Sequence, residues 1–167
     1  LYAAGDFTTA SGISANRIAF YPIPNQNGWV AMGSGSNAPV HAIERHNGSI
    51  YAAGEFTASG ATPISHVARW TGTAWESVDG GTNGVVTALK SDGTNIYAIG
   101  GFTLAGGVTV NRVARWNATE GWSDVDGGTN DVVNTLGLYR GEIHVGLGIS
   151  LSDSEEEAAP QPGKGWV

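Results

Sequence analysis

The sequence contains no cysteine among its 167 residues and only one methionine. The absence of thiols excludes disulfides, thiolate metal sites and cysteine nucleophiles. Charged residues make up only 14% of the sequence, and no apolar run approaches the roughly 20 residues that a membrane-spanning helix needs. We therefore expect no membrane insertion.

Basic residues are outnumbered, with 8 lysines and arginines against 15 aspartates and glutamates and a net charge of −7. A negative surface repels a phosphate backbone, so nucleic acid is excluded as an expected partner. Three of the acidic residues lie together at 155–157, where a Pro-containing segment follows. That composition is typical of a solvated stretch.

Glycine is abundant, with 26 residues spread along the chain in doublets and in Asn-Gly or Asp-Gly pairs. Such pairs are typical of tight turns, because glycine adopts positive φ without steric cost. The distribution therefore predicts many short turns rather than one flexible linker.

One segment recurs along the chain. Residues 2–8, 51–57 and 97–103 share a Tyr-Ala-x-Gly-x-Phe-Thr pattern, and a second shared segment ends at Tyr21, Trp70 and Trp116. The repeat length is about 47 residues, which is the length expected for a four-stranded supersecondary unit. A further tryptophan follows in each unit, at positions 29, 75, 122 and 166.

Each repeat is predicted to be β-structure throughout. In the third repeat, residues 85–89 and 96–99 are apolar and β-branched, and a turn-forming Ser-Asp-Gly-Thr sequence separates them. Residues 112–116 alternate charged and apolar side chains, and a short fourth strand follows near 122–125. No segment shows a helical period, so we expect helix content near zero.

This pattern resembles the Kelch repeat, with Gly100-Gly101, Trp116 and Trp122 as its best-matching positions. It is similar to the variant found in secreted bacterial propeller proteins and in the fungal cortical polarity marker, and the resemblance covers residues 1–143. It implies an all-β β-propeller of four-stranded antiparallel blades, an extracellular or cell-surface location, and a role in binding or adhesion. The glycine doublet is altered to Gly-Asp and Gly-Glu in the first two repeats.

The repeats predict one propeller segment over residues 1–167. Closed propellers contain about four to eight blades, so a chain that begins and ends within a blade is expected to be part of a larger ring. A closed four-bladed ring and a ring completed by a second chain are the alternatives, and open strand edges would allow self-association. The first unit lacks its innermost strand, and the predicted units are 1–33, 38–79, 84–127 and 131–167.

A weak calcium-binding pattern is present at Asp124, Asp126 and Asp131, where oxygen ligands alternate with glycines. The closing glutamate of an EF-hand loop is missing, so a structural turn is the competing interpretation. Asparagines at matched positions favour that interpretation, as residues that shape the crossing to the next blade. No other cofactor is predicted. The matched asparagines are Asn37, Asn83 and Asn130.

Four arginines lie on or beside the predicted third strands, next to aromatic residues. Two hypotheses follow: cation–π or ion-pair contacts between neighbouring blades, or a basic stripe for an acidic ligand. The arginines are Arg17, Arg69, Arg112 and Arg115.

No catalytic motif occurs in the sequence: there is no nucleophile elbow, phosphate loop or zinc-protease motif, and no pair of carboxylates is nominated as acid and base. We therefore expect a non-catalytic module that binds carbohydrate or protein through loops at a propeller face. One alternative is a structural element of a larger extracellular assembly or filament. Another is a part of a polysaccharide-acting enzyme whose catalytic carboxylates lie in other blades.

Overall fold

The computed structural model describes residues 1–24 and 28–147. Within these ranges the chain is all-β, with small antiparallel sheets and no helix, as the sequence predicts. No helix long and apolar enough to cross a membrane occurs in this part of the chain.

The strands are short, and turns with glycine at positive φ separate many of them. They are β1 (Tyr2–Ala4), β2 (Thr9–Ala10), β3 (Ile13–Ser14), β4 (Ile18–Phe20), β5 (Val30–Ala31), β6 (Val40–His46), β7 (Ser49–Gly54), β8 (Ala58–Ser59), β9 (Thr62–Pro63), β10 (Val67–Trp70), β11 (Trp75–Ser77), β12 (Val86–Ser91), β13 (Ile96–Gly100), β14 (Leu104–Ala105), β15 (Val108–Thr109), β16 (Val113–Asn117), β17 (Gly121–Asp124), β18 (Val133–Tyr139) and β19 (Glu142–Leu147).

Each repeat forms one antiparallel sheet. Sheet I contains β1, β4 and β5; sheet II contains β6, β7, β10 and β11; sheet III contains β12, β13, β16 and β17. Sheet IV consists of β18 and β19 in the described part of the chain. Sheets II and III are meanders that contain the four strands expected for one repeat, in chain order, and sheet I lacks the first of them.

A two-stranded hairpin, which the sequence pattern does not predict, lies between the second and third strand of each of the first three repeats. The hairpins are β2–β3, β8–β9 and β14–β15, and each strand contains only two residues. All three lie at the same end of the sheets, because the connection that contains them always joins the same pair of strands. We call this the hairpin end, and the opposite end, with the β6–β7, β10–β11, β12–β13 and β16–β17 turns, the turn end.

Successive sheets pack side by side. The first strands β6, β12 and β18 are neighbours, and the apolar faces of sheets II and III enclose a core that includes Tyr51, Trp116 and Trp122. A second core, around Met32 and Trp75, joins sheets I and II. A single sheet cannot bury both of its faces, so each sheet is stabilised by its neighbours.

The crossings between sheets require glycine at one matched position. Gly81 has a φ of 64°, and a Cβ there would come well inside 3.0 Å of the backbone oxygen of Ser65. The side chain of any other residue would therefore displace either the crossing or the start of β10. The equivalent overlaps are Gly35 with Asn16 and Gly128 with Asn111.

Candidate functional site

Two of the matched asparagines, Asn37 and Asn83, hold their crossings to the hairpin of the next sheet. Asn83 Oδ1 accepts hydrogen bonds from the backbone N–H groups of Thr103 (2.8 Å) and Leu104 (2.9 Å), and its Nδ2 donates to Thr103 Oγ1 at 3.0 Å. Asn37 makes the same three bonds to residues 57 and 58. These asparagines therefore clamp residues about twenty positions away, in addition to the expected role in shaping the crossing.

The aspartates of the predicted calcium loop are used in turns. Asp124 Oδ2 accepts a hydrogen bond from the Gly127 N–H at 2.6 Å, and Asp131 Oδ1 accepts one from the Val132 N–H at 2.7 Å. Asp126 adopts a φ of 51° in the same crossing. No group of three side chains suited to a metal occurs in residues 1–24 and 28–147, so calcium binding here stays a prediction that no carboxylate cluster supports.

Two of the four arginines pair within their own sheet. Arg69 on β10 forms an ion pair with Glu76 on β11, and Arg115 on β16 pairs with Glu120 at 3.3 Å. The prediction that these side chains bridge neighbouring blades by ion pairs is wrong for both, since each carboxylate partner belongs to the same sheet.

The other two arginines fix crossings at the hairpin end. The Nη1 atoms of Arg17 and Arg112 donate to the carbonyl oxygens of Ser36 and Thr129, each at 3.0 Å. Both arginines adopt the left-handed backbone region, with φ values of 67° and 64°. Their guanidinium groups are therefore occupied in holding the fold, which does not favour a basic stripe for an acidic ligand.

A cavity opens at the turn end, between sheets II and III. Its volume is about 390 Å³, within the roughly 300 to 1,000 Å³ that is common for ligand sites. Three turns meet there: β6–β7, β12–β13 and β16–β17. We call this cavity the turn groove, and the residues that line it are His46, Asn47, Thr94, Asn117, Ala118, Thr119 and Glu120.

The floor of the turn groove is fixed by His46, which is only 3% exposed. Its Nδ1 lies 2.7 Å from Ser91 Oγ and its Nε2 lies 3.0 Å from Asn47 Nδ2. Both ring nitrogens are thus engaged, Nδ1 with the serine hydroxyl and Nε2 with the asparagine amide. The ring also packs edge-on against Tyr51 and Trp116 of the core.

One wall of the groove is fixed by Asn117 at the end of β16. Its Oδ1 accepts hydrogen bonds from the backbone N–H groups of Thr119 (3.0 Å) and Glu120 (2.8 Å). Its Nδ2 donates to Glu120 Oε2 at 3.0 Å, and Arg115 Nη2 donates to the same oxygen. The β16–β17 turn is thus held by side-chain hydrogen bonds at Thr119 and Glu120.

The opposite wall is fixed by Asp92 in the β12–β13 turn. Its carboxylate accepts hydrogen bonds from the backbone N–H groups of Thr94 (2.8 Å) and Asn95 (2.6 Å) and from Asn95 Nδ2 (2.9 Å). Partial burial by itself raises the pKa of Asp92, but these hydrogen bonds outweigh it and hold the pKa below its ordinary value of 3.8.

Four polar groups of the turn groove make no hydrogen bond within the described residues. They are Asn47 Oδ1, the Thr94 and Thr119 hydroxyls, and Glu120 Oε1. Every buried side-chain nitrogen or oxygen in the same part of the chain has a partner. The free groups are therefore exposed ones, on turns whose framework is already held by other hydrogen bonds.

Two further recesses lie near the sheets. One of about 200 Å³ adjoins the turn groove at Ala118, and there Trp116 Nε1 donates to Asp79 Oδ2 at 2.6 Å. The other, of about 570 Å³, lies at the hairpin end around Gly128. The matched residue Gly81 is covered by the next hairpin, through a bond from the Gly106 N–H. The residues at the matching positions of the next repeat lie outside the described ranges, so this recess does not define a ligand site.

Comparison with known proteins adds no assignment. No protein-family model matches the sequence, and no curated protein matches it at a significant level. The chemistry of the turn groove and the repeat pattern are therefore the basis for a functional interpretation.

Proposed function

We propose that this chain forms consecutive blades of a Kelch-like β-propeller that acts outside the cell or on its surface as a non-catalytic binding module for a carbohydrate or protein ligand. The observation that carries the binding role is the turn groove, in which four free polar groups lie on turns with a fixed framework. Loops held on a rigid scaffold are the usual location of binding residues.

The repeated contact between sheets supports the propeller. Trp122 Nε1 donates to the carbonyl oxygen of Val78 in the preceding sheet at 2.9 Å, and Trp75 Nε1 donates to that of Met32 at the same distance. Sheets I and II are therefore related in the same way as sheets II and III. When each sheet contacts the next in the same way, the sheets form a regular array. A propeller is such an array closed into a ring.

The state of Glu120 favours binding over catalysis. It is the one carboxylate among the described residues that line the turn groove, and both Arg115 and Asn117 hold its Oε2 atom. A glycosidase would need a second carboxyl group at about 5 to 10 Å. Glu120 is thus suited to accept a hydrogen bond from a ligand.

The binding role is tested on immobilised glycans and cell-surface proteins with the wild-type protein and Glu120→Lys. We expect the substitution to abolish binding, because it places an unpaired ammonium next to Arg115 in the groove. Thr62→Lys, on the exposed β9 strand at the hairpin end, is the matched control and should retain binding. Undiminished binding by Glu120→Lys would exclude the turn groove, and conversion of a bound ligand to product would favour the enzyme alternative.

The propeller is tested separately, by electron microscopy of the full-length protein. A ring with a central channel and one blade per repeat is the expected image. An extended stack of sheets, or filaments that lengthen with concentration, would instead favour the structural-assembly alternative, because open strand edges pair with other chains.

A further inference from the structure

We infer that the turn groove takes an uncharged saccharide and recognises it through its hydroxyl groups. This inference rests on the proposed function, since it names the ligand class for the same groove. The four groups that carry it are Asn47 Oδ1, Thr94 Oγ1, Thr119 Oγ1 and Glu120 Oε1.

The charge of the groove is balanced. Glu120 is its described carboxylate, and Arg115 lies against it at 3.3 Å. The other free groups, on Asn47, Thr94 and Thr119, are neutral. An anionic ligand would meet no available cation there, and a cationic ligand would have to compete with Arg115 for one carboxylate. An uncharged ligand has neither cost, because it leaves no charge unpaired on either side.

The hydrogen-bonding capacity of the groove matches a polyol. The hydroxyls of Thr94 and Thr119 can each donate and accept, whereas Asn47 Oδ1 and Glu120 Oε1 only accept. A saccharide hydroxyl also donates and accepts, so neighbouring hydroxyls of one sugar ring can satisfy both kinds of group at once. An uncharged peptide backbone offers a single donor and a single acceptor per residue, at a spacing of more than 3 Å.

The groove lacks the apolar anchors of a protein interface. Trp116 and Tyr51 lie beneath it, but they are only 6% and 3% exposed. Ala118 is the apolar side chain among its described lining residues. Energetic hot spots of protein interfaces are large aromatic side chains or arginines in desolvated pockets, and the groove offers no such pocket. Because neither Trp116 nor Tyr51 exposes an aromatic face to the groove, we expect weak binding that depends on each hydrogen bond.

The free groups of Thr119 and Glu120 are not required by the repeat. In sheet II, the turn that matches β16–β17 closes on itself: Thr71 Oγ1 donates to the Ala74 carbonyl oxygen at 2.9 Å and accepts from the Ala74 N–H at 3.1 Å. Counted between the flanking tryptophans, 70 and 75 against 116 and 122, that connection is one residue shorter, and it has no acidic residue. The longer, Glu-containing turn of sheet III therefore adds binding groups to a connection that the fold can make without them.

The test is a titration of the isotope-labelled full-length protein, followed by NMR, with four ligand sets. These are neutral oligosaccharides, uronic-acid oligomers, glucosamine oligomers and uncharged peptides. We expect only the neutral oligosaccharides to shift the amide signals of residues 47, 94 and 118–120. Thr94→Ala and Thr119→Ala should each weaken binding by about two- to tenfold, the value of one net hydrogen bond. Thr62→Ala at the hairpin end should leave it unchanged.

The outcomes separate this inference from the proposed function. If only peptides or charged sugars shift the groove signals, the saccharide assignment is overturned and the binding role stands. If the groove signals respond to none of the four sets, and Glu120→Lys binds its partners as well as the wild type does, both are overturned. Equal affinity of Thr94→Ala, Thr119→Ala and the wild type for a neutral oligosaccharide would also reject the assignment.

Discussion

The indole N–H of Trp122 donates a hydrogen bond to the carbonyl oxygen of Val78 in the preceding sheet, over 2.9 Å. The ring itself is only 5% exposed, so the bond lies within the core that joins sheets II and III. A single side chain thus supplies apolar area and a directional link between two sheets, and Trp75 does the same one repeat earlier. The repeated tryptophan of this sequence is therefore a residue that sets how successive sheets are placed.

Replacing Trp122 with Phe should destabilise the protein by about 0.5 to 1.5 kcal/mol, because the indole hydrogen bond is lost, while the Val78 carbonyl keeps its bond from the Gly81 N–H and most of the apolar packing remains. Urea unfolding of the full-length variant measures this loss. Tyr139→Phe is the control: that ring is 61% exposed, and its substitution should change stability by less than about 0.5 kcal/mol. Equal stability of the Trp122 variant and the wild type would show that the hydrogen bond contributes nothing.

Alanine substitutions at two neighbouring glycines distinguish the stability cost of backbone strain from that of steric overlap. Gly80 and Gly81 both have positive φ, 82° and 64°, but a Cβ at Gly80 meets only Gly106 Cα at 3.8 Å. Gly80→Ala should therefore cost about 1 to 2 kcal/mol, from the left-handed conformation alone. Gly81→Ala should cost clearly more, since its Cβ also overlaps the Ser65 oxygen. Thermal unfolding of both variants tests the order, and equal losses would contradict the overlap.

The strands were predictable from local sequence. Runs such as those that became β12 and β13 are rich in β-branched and aromatic residues and enclose an Asp-Gly turn, so pattern and turn chemistry indicate the same hairpin. The repeat length of about 47 residues also predicted four strands per repeat, which sheets II and III contain. These features depend on residues close in sequence or on the repeat itself, and both can be read without coordinates.

The hairpin end and the turn groove were not predictable in the same way. Strands β8 and β9 contain two residues each, among Ala, Ser, Gly, Thr and Pro, so the segment has the composition of a loop. The Asn37 clamp joins residues twenty positions apart. The groove requires three turns from two sheets, and which polar groups stay free depends on side-chain rotamers. Sequence patterns contain none of this information.

Asn83→Ala should release the β14–β15 hairpin from the preceding crossing. The substitution removes three hydrogen bonds, to Thr103 and Leu104, and leaves two backbone N–H groups to bond with water. We expect faster hydrogen exchange at these two amides and a loss of about 1 to 2 kcal/mol in local stability. Thr109→Ala, on exposed β15, should leave their exchange unchanged. Unaltered exchange in Asn83→Ala would show that the clamp does not hold the hairpin.

The pKa of Asp92 predicts how stability depends on pH. Its folded-state pKa lies below 3.8, because hydrogen bonds from residues 94 and 95 outweigh the opposing effect of burial. The ionised carboxylate therefore stabilises the fold above pH 4, and this contribution is lost as the pH falls through the folded-state pKa. Asp92→Ala should be less stable than the wild type at pH 7, and the difference should shrink toward pH 3. Chemical denaturation at pH 7 and at pH 3 measures this difference in the free energy of unfolding. An equal difference at both pH values would contradict a stabilising role of the ionised Asp92 carboxylate.

His46 links the stability of the core to the shape of the turn groove. His46→Phe retains a ring against Tyr51 and Trp116, but it removes the bonds to Ser91 and Asn47. We expect a loss of about 0.5 to 1.5 kcal/mol, the net value of a hydrogen bond, since the Asn47 amide remains accessible to water.

His46→Phe also frees the Asn47 side chain, so the side-chain amide signal of Asn47 in the NMR spectrum should move. Signals from the hairpin end should stay in place. His41→Phe is the matched control, because the His41 side chain is exposed and lies against Glu55; it should change neither the groove signals nor stability beyond about 0.5 kcal/mol. Movement of the groove signals without a loss of stability would mean that His46 orients the groove but does not stabilise the core. Loss of stability without such movement would mean the reverse, and Asn47 would then be positioned by its backbone turn alone.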